Sequence, residues 1–266
     1  VTEAGVLGLV VGGVVVAPWA VSDGYLLLLD WVSGPTQTLT PGVYGLSGSA
    51  LDAMPFRVGT AALRAIVGSA ATAWLLLLAY FPLAAAGVAM AARGTRWRTM
   101  SAALFVVANP FIVDRLRAGH VALLLGLALL PWLFNSAVHA RERGKRFAVR
   151  PAVWFALAVS ISPHAAWLGA AVLLWVMLVP WPSARDLLRT VQVMASAALV
   201  YVYALVLWLI GTRTHEVTGA DLSAYATTVG PGGISTTVLS LHGFWREWPE
   251  QVRDSLPAVL AGIVLV

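Results

Sequence analysis

Long apolar runs separated by short polar links dominate the chain, and their lengths predict membrane-spanning helices. A transmembrane helix needs about 20 mainly apolar residues. The pattern predicts helices near 4–20, 70–92, 99–113, 120–138, 150–162, 165–181 and 190–210, and the start of an eighth from about 256. Pro163 divides the stretch 150–181 into two short helices. The expected fold class is all-α: a polytopic membrane bundle of about seven transmembrane helices plus the start of an eighth.

Two long polar segments interrupt this pattern, at 21–69 and 211–255. Both are rich in Gly, Pro, Ser and Thr and are predicted to be loops. The apolar patch YLLLL at 25–29 is expected to lie flat on the bilayer surface. Residues 1–266 are interpreted as one transmembrane module. Because the chain ends within the apolar run AVLAGIVLV, we expect the protein to continue beyond residue 266.

Composition supports the membrane interpretation. Hydrophobic residues make up 59% of the chain and charged residues only 11%, whereas an ordinary soluble domain carries about 25% charged residues. The isoelectric point near 10.1 does not indicate nucleic-acid binding, because the basic residues lie in short links between apolar runs. The absence of cysteine excludes a disulfide framework, a thiol nucleophile and a cysteine-based metal site.

The charges separate between the two sides of the predicted bundle. Ten of the 17 basic residues fall in three short links on one side: Arg93, Arg96, Arg98, Arg141, Arg143, Lys145, Arg146, Arg150, Arg185 and Arg189. Nine of the 12 acidic residues fall on the other side. Basic links mark the cytoplasmic side. We therefore expect a multi-pass protein of the cell membrane with a cytoplasmic N-terminus and with both long loops outside.

The segment NPFIVDRLRAGH, at 109–120 and hereafter called the link, joins two apolar runs. Pro110 is expected to bend or break a helix there. Arg115, Arg117 and His120 can donate hydrogen bonds to phosphate, for which the planar arginine fork is well suited. The alternative is that Arg115 pairs with Asp114 and that the arginines extend to lipid headgroups.

Acidic residues of the first loop are candidates for a general base. Asp30 follows the apolar YLLLL patch, and burial beside Trp31 would raise its pKa towards a useful range. The alternative is a helix end or the start of a turn, where aspartate is common. Asp23 and Asp52 are lesser candidates.

The remaining candidates are histidines near the predicted outer face. His164, in the motif SPH, could approach the same outer cavity as Asp114 and His120, or simply satisfy a turn carbonyl. His215, Glu216 and His242 lie in the second long loop but lack metal-ligand spacing. A divalent cation therefore stays an open alternative, and no cofactor follows from the sequence. Gly8 and Gly12 have the spacing that permits close helix packing.

Taken together, these features resemble the GT-C-type membrane glycosyltransferases. The resemblance rests on an acidic residue in the first external loop (Asp30), on NPF-x-x-DR ending a short third helix, on Gly119-His120 opening the fourth, and on a second long loop after the seventh. The NPF…DR…AGH stretch is similar to actinobacterial and archaeal members, including cell-wall arabinofuranosyltransferases. The sequence departs from the family in lacking the paired acidic motif that many members carry in the first loop.

The resemblance implies transfer of a sugar from a polyprenyl-phosphate donor to a hydroxyl of a cell-envelope glycan or lipid, outside the membrane and with inversion. By position, Asp30 would be the base. Arg115, Arg117 and His120 would bind the lipid phosphate, with Asp114 and His164 also at the donor site. His215, Glu216 and His242 would belong to the acceptor side.

Two other classes of protein fit the composition. A lipid or solute transporter, such as a flippase, should line a continuous path with polar residues, but the predicted helix centres carry almost no charge. A non-catalytic membrane scaffold predicts no cavity that unites Asp30, the link and the late loop. The sequence therefore favours an enzyme of the outer face.

Overall fold

The computed structural model is a helical bundle with a short pair of strands. It describes residues 1–20, 27–28, 31–32, 54–92, 94–143, 148–179 and 181–203, together with 206 and 209. Within these residues the helices are α1 (Thr2–Ala20), α2 (Met54–Val67), α3 (Ser69–Ala91), α4 (Arg96–Val107), α5 (Pro110–Arg117), α6 (Val121–Ala128), α7 (Leu130–Glu142), α8 (Val149–Ile161), α9 (His164–Leu178) and α10 (Ala184–Val200). Two short antiparallel strands, β1 (Leu27–Leu28) and β2 (Trp31–Val32), pair Leu28 with Trp31.

Four stretches in the described part of the chain are long and apolar enough to cross a membrane. They are Thr2–Ala20, Ser69–Ala91, Arg96–Arg117 and Val121–Glu142, while α8 and α9 are apolar but shorter. Large hydrophobic side chains such as Val14, Trp167 and Leu199 lie exposed on the outside of the bundle. These features fit a helical bundle embedded in a membrane.

The predicted helices agree with the observed ones except at four places. The predicted helix 99–113 is two helices, α4 and α5, divided at Ala108–Asn109 before Pro110, and α5 continues to Arg117. The loop prediction is wrong for 54–67, where Phe56, Thr60 and Leu63 recur at helical spacing and α2 packs against α3 and α8. The predicted helix 120–138 is divided into α6 and α7 at Leu129, just before Pro131. The predicted helix 190–210 begins earlier, at Ala184. The run from about 256 lies outside the described residues.

Two buried clusters form the core. The first surrounds Phe81 and Leu124 and joins α1, α3, α4, α5 and α6. Gly8 and Gly12 bring α1 close to α3 there, because an added Cβ on Gly12 would lie 2.7 Å from the Phe81 ring. The second cluster surrounds Phe155 and Leu173 and joins α7 to α10. The glycine spacing in α1 is therefore structural, as predicted.

The bundle has two distinct ends. At one end, hereafter the basic end, Arg96 at the start of α4 forms a two-bond ion pair with Glu3 of α1, and α7 and α9 finish beside the start of α10. The opposite end, hereafter the far end, holds α5, the Ser162–Pro163 break between α8 and α9, and the start of α2 beside Tyr203. The link therefore lies at the end opposite the basic residues.

Candidate functional site

The link begins with a capped helix. Helix α4 ends before Ala108, whose backbone is no longer helical. Asn109 then caps α5, because its side-chain oxygen accepts a hydrogen bond from the Ile112 amide at 3.2 Å. The Asn109 side-chain amide donates to the Phe105 carbonyl at 2.8 Å, which ties the two helices together. Pro110 occupies the first helical position, where its missing N–H costs nothing. Asn109 and Pro110 thus start a short separate helix.

A tight turn closes the link at its other end. The His120 amide donates to the Arg115 carbonyl at 2.9 Å, and the Gly119 amide donates to the Leu116 carbonyl at 3.0 Å. This pair of bonds is the Schellman helix ending, which requires a residue of positive φ. Gly119 supplies it with a φ of 82°. The turn folds His120 back along α5.

This turn brings Arg115 and His120 into contact. The Arg115 Nη1 atom lies 3.1 Å from the His120 Nδ1 atom. Arginine can only donate, so Nδ1 accepts and the imidazole is neutral with its proton on Nε2. The guanidinium carbon of Arg115 also lies 4.9 Å from the centroid of the Phe111 ring. Two N–H donors, one cationic and one neutral, are therefore coupled within the link.

Two of the four ionisable side chains in the link are buried. Asp114 is 3% exposed and Arg115 is 8% exposed, and the negative charge of Asp114 acts on Arg115. Arg117 is exposed and His120 is half-buried. Burial of charged groups is costly unless they are paired or hydrogen-bonded, so the local structure must hold this arrangement in place.

The other predicted site residues fall in different places. His164 is exposed at the start of α9 and forms no hydrogen bond or ion pair within the described part of the chain. Asp30, Asp23, Asp52, His215, Glu216 and His242 lie outside the described residues. Among the residues that the structure does describe, no group of three or more His, Asp or Glu side chains could hold a metal ion.

A second charged cluster escaped the sequence analysis. At the basic end, Arg189 Nη1 contacts the Asp186 carboxylate at 2.6 Å, and Arg141 Nε lies 3.8 Å from the same carboxylate. Arg141 also donates to the carbonyl of Val176 in the last turn of α9 and to the carbonyls of Val179 and Trp181, which follow α9. Hereafter, Arg141, Ser183, Asp186 and Arg189 are called the basic-end cluster.

The basic-end cluster depends on a capping box. The Ser183 hydroxyl and amide both donate to Asp186, at 2.7 and 3.0 Å, and the Asp186 amide donates back to Ser183. Burial raises the pKa of Asp186, but the Ser183 hydrogen bonds and the charges of Arg141 and Arg189 lower it by more, so the net pKa lies below its usual value. The Ser-x-x-Asp spacing before an apolar run was a readable signal for this cap.

Comparison with protein-family models, curated proteins and solved structures finds no match to this chain. The functional assignment therefore depends on the residues and their arrangement.

Proposed function

We propose that this protein is a membrane glycosyltransferase that transfers a sugar from a polyprenyl-phosphate donor to an acceptor hydroxyl. The observation that carries the proposal is the Arg115–His120 contact at 3.1 Å, held between a capped helix start and a glycine-dependent helix end. Arginine and a neutral imidazole N–H are suitable donors for phosphate oxygens. The link would bind the phosphate of the donor lipid.

The proposed reaction is an inverting displacement. The acceptor oxygen attacks the anomeric carbon, the bond between that carbon and the phosphate oxygen breaks, and the electron pair leaves with the polyprenyl phosphate. Asp30 would take the proton of the acceptor hydroxyl. Arg115, Arg117 and His120 would stabilise the negative charge that develops on the leaving phosphate, as preorganised donors do in electrostatic catalysis.

The position of Trp31 supports a role for the first polar segment. Trp31, Phe56 and Phe111 all pack against the buried cluster that contains Ile112 and Leu116. The Trp31 and Phe56 rings lie 6.1 Å apart. The chain directly after Asp30 is therefore attached to the same core as the link, which the proposed pairing of base and phosphate site requires.

The proposal includes an orientation. Seven membrane-spanning segments, with α8 and α9 as short spans, would place the N-terminus and the basic end in the cytoplasm and the link on the outer face of the cell membrane. The concentration of exposed arginines at the basic end supports this orientation, because basic links are retained in the cytoplasm. The acceptor would be a glycan or lipid of the cell envelope.

The test uses membranes that contain the full-length protein at matched expression, supplied with labelled polyprenyl-phosphate sugars. We expect transfer by the wild type and none above background by Asp30→Asn. Arg115→Lys, which keeps the charge but loses the fork, should lower the rate about 100-fold, the typical loss of one preorganised donor. Arg98→Gln, an exposed arginine of the basic end, is the matched control and should be fully active.

Two results would contradict the proposal, and a third would change the identity of the base. Full activity of Arg115→Lys and Arg115→Ala would remove the link from the reaction. Full activity of Asp30→Asn would transfer the role of base to Asp23 or Asp52. No transfer by the wild type from any donor would favour the transport or scaffold alternatives.

A further inference from the structure

An open apolar groove lies between α8 and α10. It has a volume of about 320 Å³ and is lined by Ala148, Val149, Ala152, Val153, Ala156, Gln192 and Ser196. The two helices run in the same direction, because Gln192 Oε1 accepts from the Ala148 amide at 3.2 Å and Ser196 donates to the Ala152 carbonyl at 3.1 Å. The groove therefore starts at the basic end and runs along both helices.

The lining favours a hydrocarbon occupant. Gln192 and Ser196 are its two polar side chains, and both already bond to backbone atoms of the protein. From Ala148 to Ala156 the groove extends about 12 Å at the helical rise of 1.5 Å per residue. One leaflet contributes about 15 Å of hydrocarbon to a bilayer. A single acyl chain of one leaflet would thus match both the chemistry and the length of the groove.

Exposed arginines lie at the basic end of the same two helices. Arg150 follows Val149 at the start of α8, and Arg185 lies seven residues, or about two turns, before Gln192 on the same face of α10. Both are exposed and form no hydrogen bond or ion pair in the described part of the chain. Arg141 and Arg189, by contrast, are engaged within the protein.

We propose that the α8/α10 groove binds one anionic phospholipid, with an acyl chain in the groove and the phosphate between Arg150 and Arg185. Side chains on a helix lean towards its N-terminus, so both guanidinium groups would extend towards the headgroup level. Basic pockets between transmembrane helices are suited to acidic headgroups. This site is separate from the link and does not depend on the proposed glycosyl transfer.

The test detects lipid contact at the groove directly. The chain has no cysteine, so Val153→Cys introduces the only thiol, which can carry a bimane fluorophore. The purified full chain is placed in nanodiscs that contain dibrominated phosphatidylglycerol or dibrominated phosphatidylcholine, whose bromines quench the fluorophore on contact. Val6→Cys is the matched control. Val6 is 57% exposed and Val153 is 51% exposed, and each lies four residues after the first residue of its helix.

We expect dibrominated phosphatidylglycerol to quench the fluorophore more strongly than dibrominated phosphatidylcholine at Val153→Cys but not at Val6→Cys. This difference in quenching is the preference that the variants below should change. Arg150→Gln with Arg185→Gln should reduce the preference about fivefold for each arginine removed. The pair Arg98→Gln and Arg143→Gln removes the same charge from exposed residues that do not line the groove, and it should leave the difference in quenching unchanged. Ala156→Phe, which fills the groove, should abolish it in protein that retains its thermal stability.

Equal quenching by the two lipids at Val153→Cys would overturn the proposal. So would an equal loss of preference in both double variants, because general charge would then explain the effect. Protection of the fluorophore from both lipids would indicate that another protein segment fills the groove, and would also overturn it.

Discussion

Arg115 in the link and Arg189 in the basic-end cluster are both buried, and each has an aspartate close by in sequence. Arg189 and its neighbour Arg141 direct their donors to Asp186 and to backbone carbonyls of the chain. Arg115 lies beside Asp114, whose negative charge acts on it, and it also contacts the His120 imidazole and the Phe111 ring. Burial of arginine beside an aspartate is therefore not by itself a sign of function. What distinguishes Arg115 is its contact with a second possible phosphate donor, His120, at the end of the bundle opposite the basic residues.

The largest expected effect is on the basic-end cluster, whose arginines we interpret as structural. Asp186→Ala leaves Arg141 and the buried Arg189 without their carboxylate, and it removes the capping box of α10. Loss of one partner of a buried ion pair costs about 3–5 kcal/mol. Unfolding of the purified protein in detergent should show a loss of this size. A loss under about 1 kcal/mol would show that the cluster does not stabilise the bundle.

The next effect concerns the turn that closes the link. Gly119→Ala forces an alanine into positive φ, which costs about 1–2 kcal/mol. Because this turn brings His120 to Arg115, the substitution should also lower transfer activity. The loss of activity should be larger than the loss of folded protein alone explains. Gly13→Ala is the control, since a Cβ there meets nothing within 4 Å and the helix should gain about 0.5–1 kcal/mol. Unchanged stability and activity of Gly119→Ala would contradict the account of the turn.

Acid should weaken the basic-end cluster. The folded-state pKa of Asp186 is lowered, so its ion pairs contribute stability above the unfolded pKa, and this contribution is lost as the pH falls through the folded pKa. The slope for one proton is at most about 1.4 kcal/mol per pH unit. The difference in unfolding free energy between the wild type and Asp186→Asn should therefore shrink in acid. A difference that is constant with pH would contradict the assignment.

The smallest effect is expected at the exposed ion pair of the same end. Arg96 and Glu3 form two hydrogen bonds, but their side chains are 78% and 61% exposed. Exposed ion pairs contribute about 0–1 kcal/mol. Glu3→Gln should therefore change stability far less than Asp186→Ala in the same unfolding experiment. Equal losses would mean that burial does not decide the strength of these pairs.

Much of the helical pattern could be predicted because apolar length and proline positions act locally. The helix starting near Ser69 and the break before Pro163 were expected from the sequence, and so was an interruption at Pro110, although the separate helix α5 that begins there was not. The helix α2 was missed because its Gly, Pro and Arg residues made an amphipathic segment read as a loop. The division at Leu129 was missed because Pro131 stands within a continuous apolar run.

The charged residues were predictable in part. The sequence indicated that Arg115 and His120 share one link, but their contact depends on the positive φ of Gly119 and on the packing of α5. Counting basic residues placed Arg141 and Arg189 at one end without revealing their partner, because Asp186 reaches them only through the packing of α7, α9 and α10. The count of basic residues likewise could not show that Arg150 and Arg185 are exposed while Arg141 and Arg189 are engaged within the protein.

The most direct test of the central claim measures binding without reaction. The affinity of the purified full-length protein for a short-chain polyprenyl monophosphate is compared between the wild type, Arg115→Lys and the double variant Arg98→Gln with Arg143→Gln, which removes two exposed arginines outside the link. Loss of a charge-assisted hydrogen bond costs about 1.5–3 kcal/mol, so Arg115→Lys should bind at least about tenfold more weakly, while the double variant binds like the wild type. Equal binding by Arg115→Lys and the wild type would contradict the assignment of the link as the phosphate site.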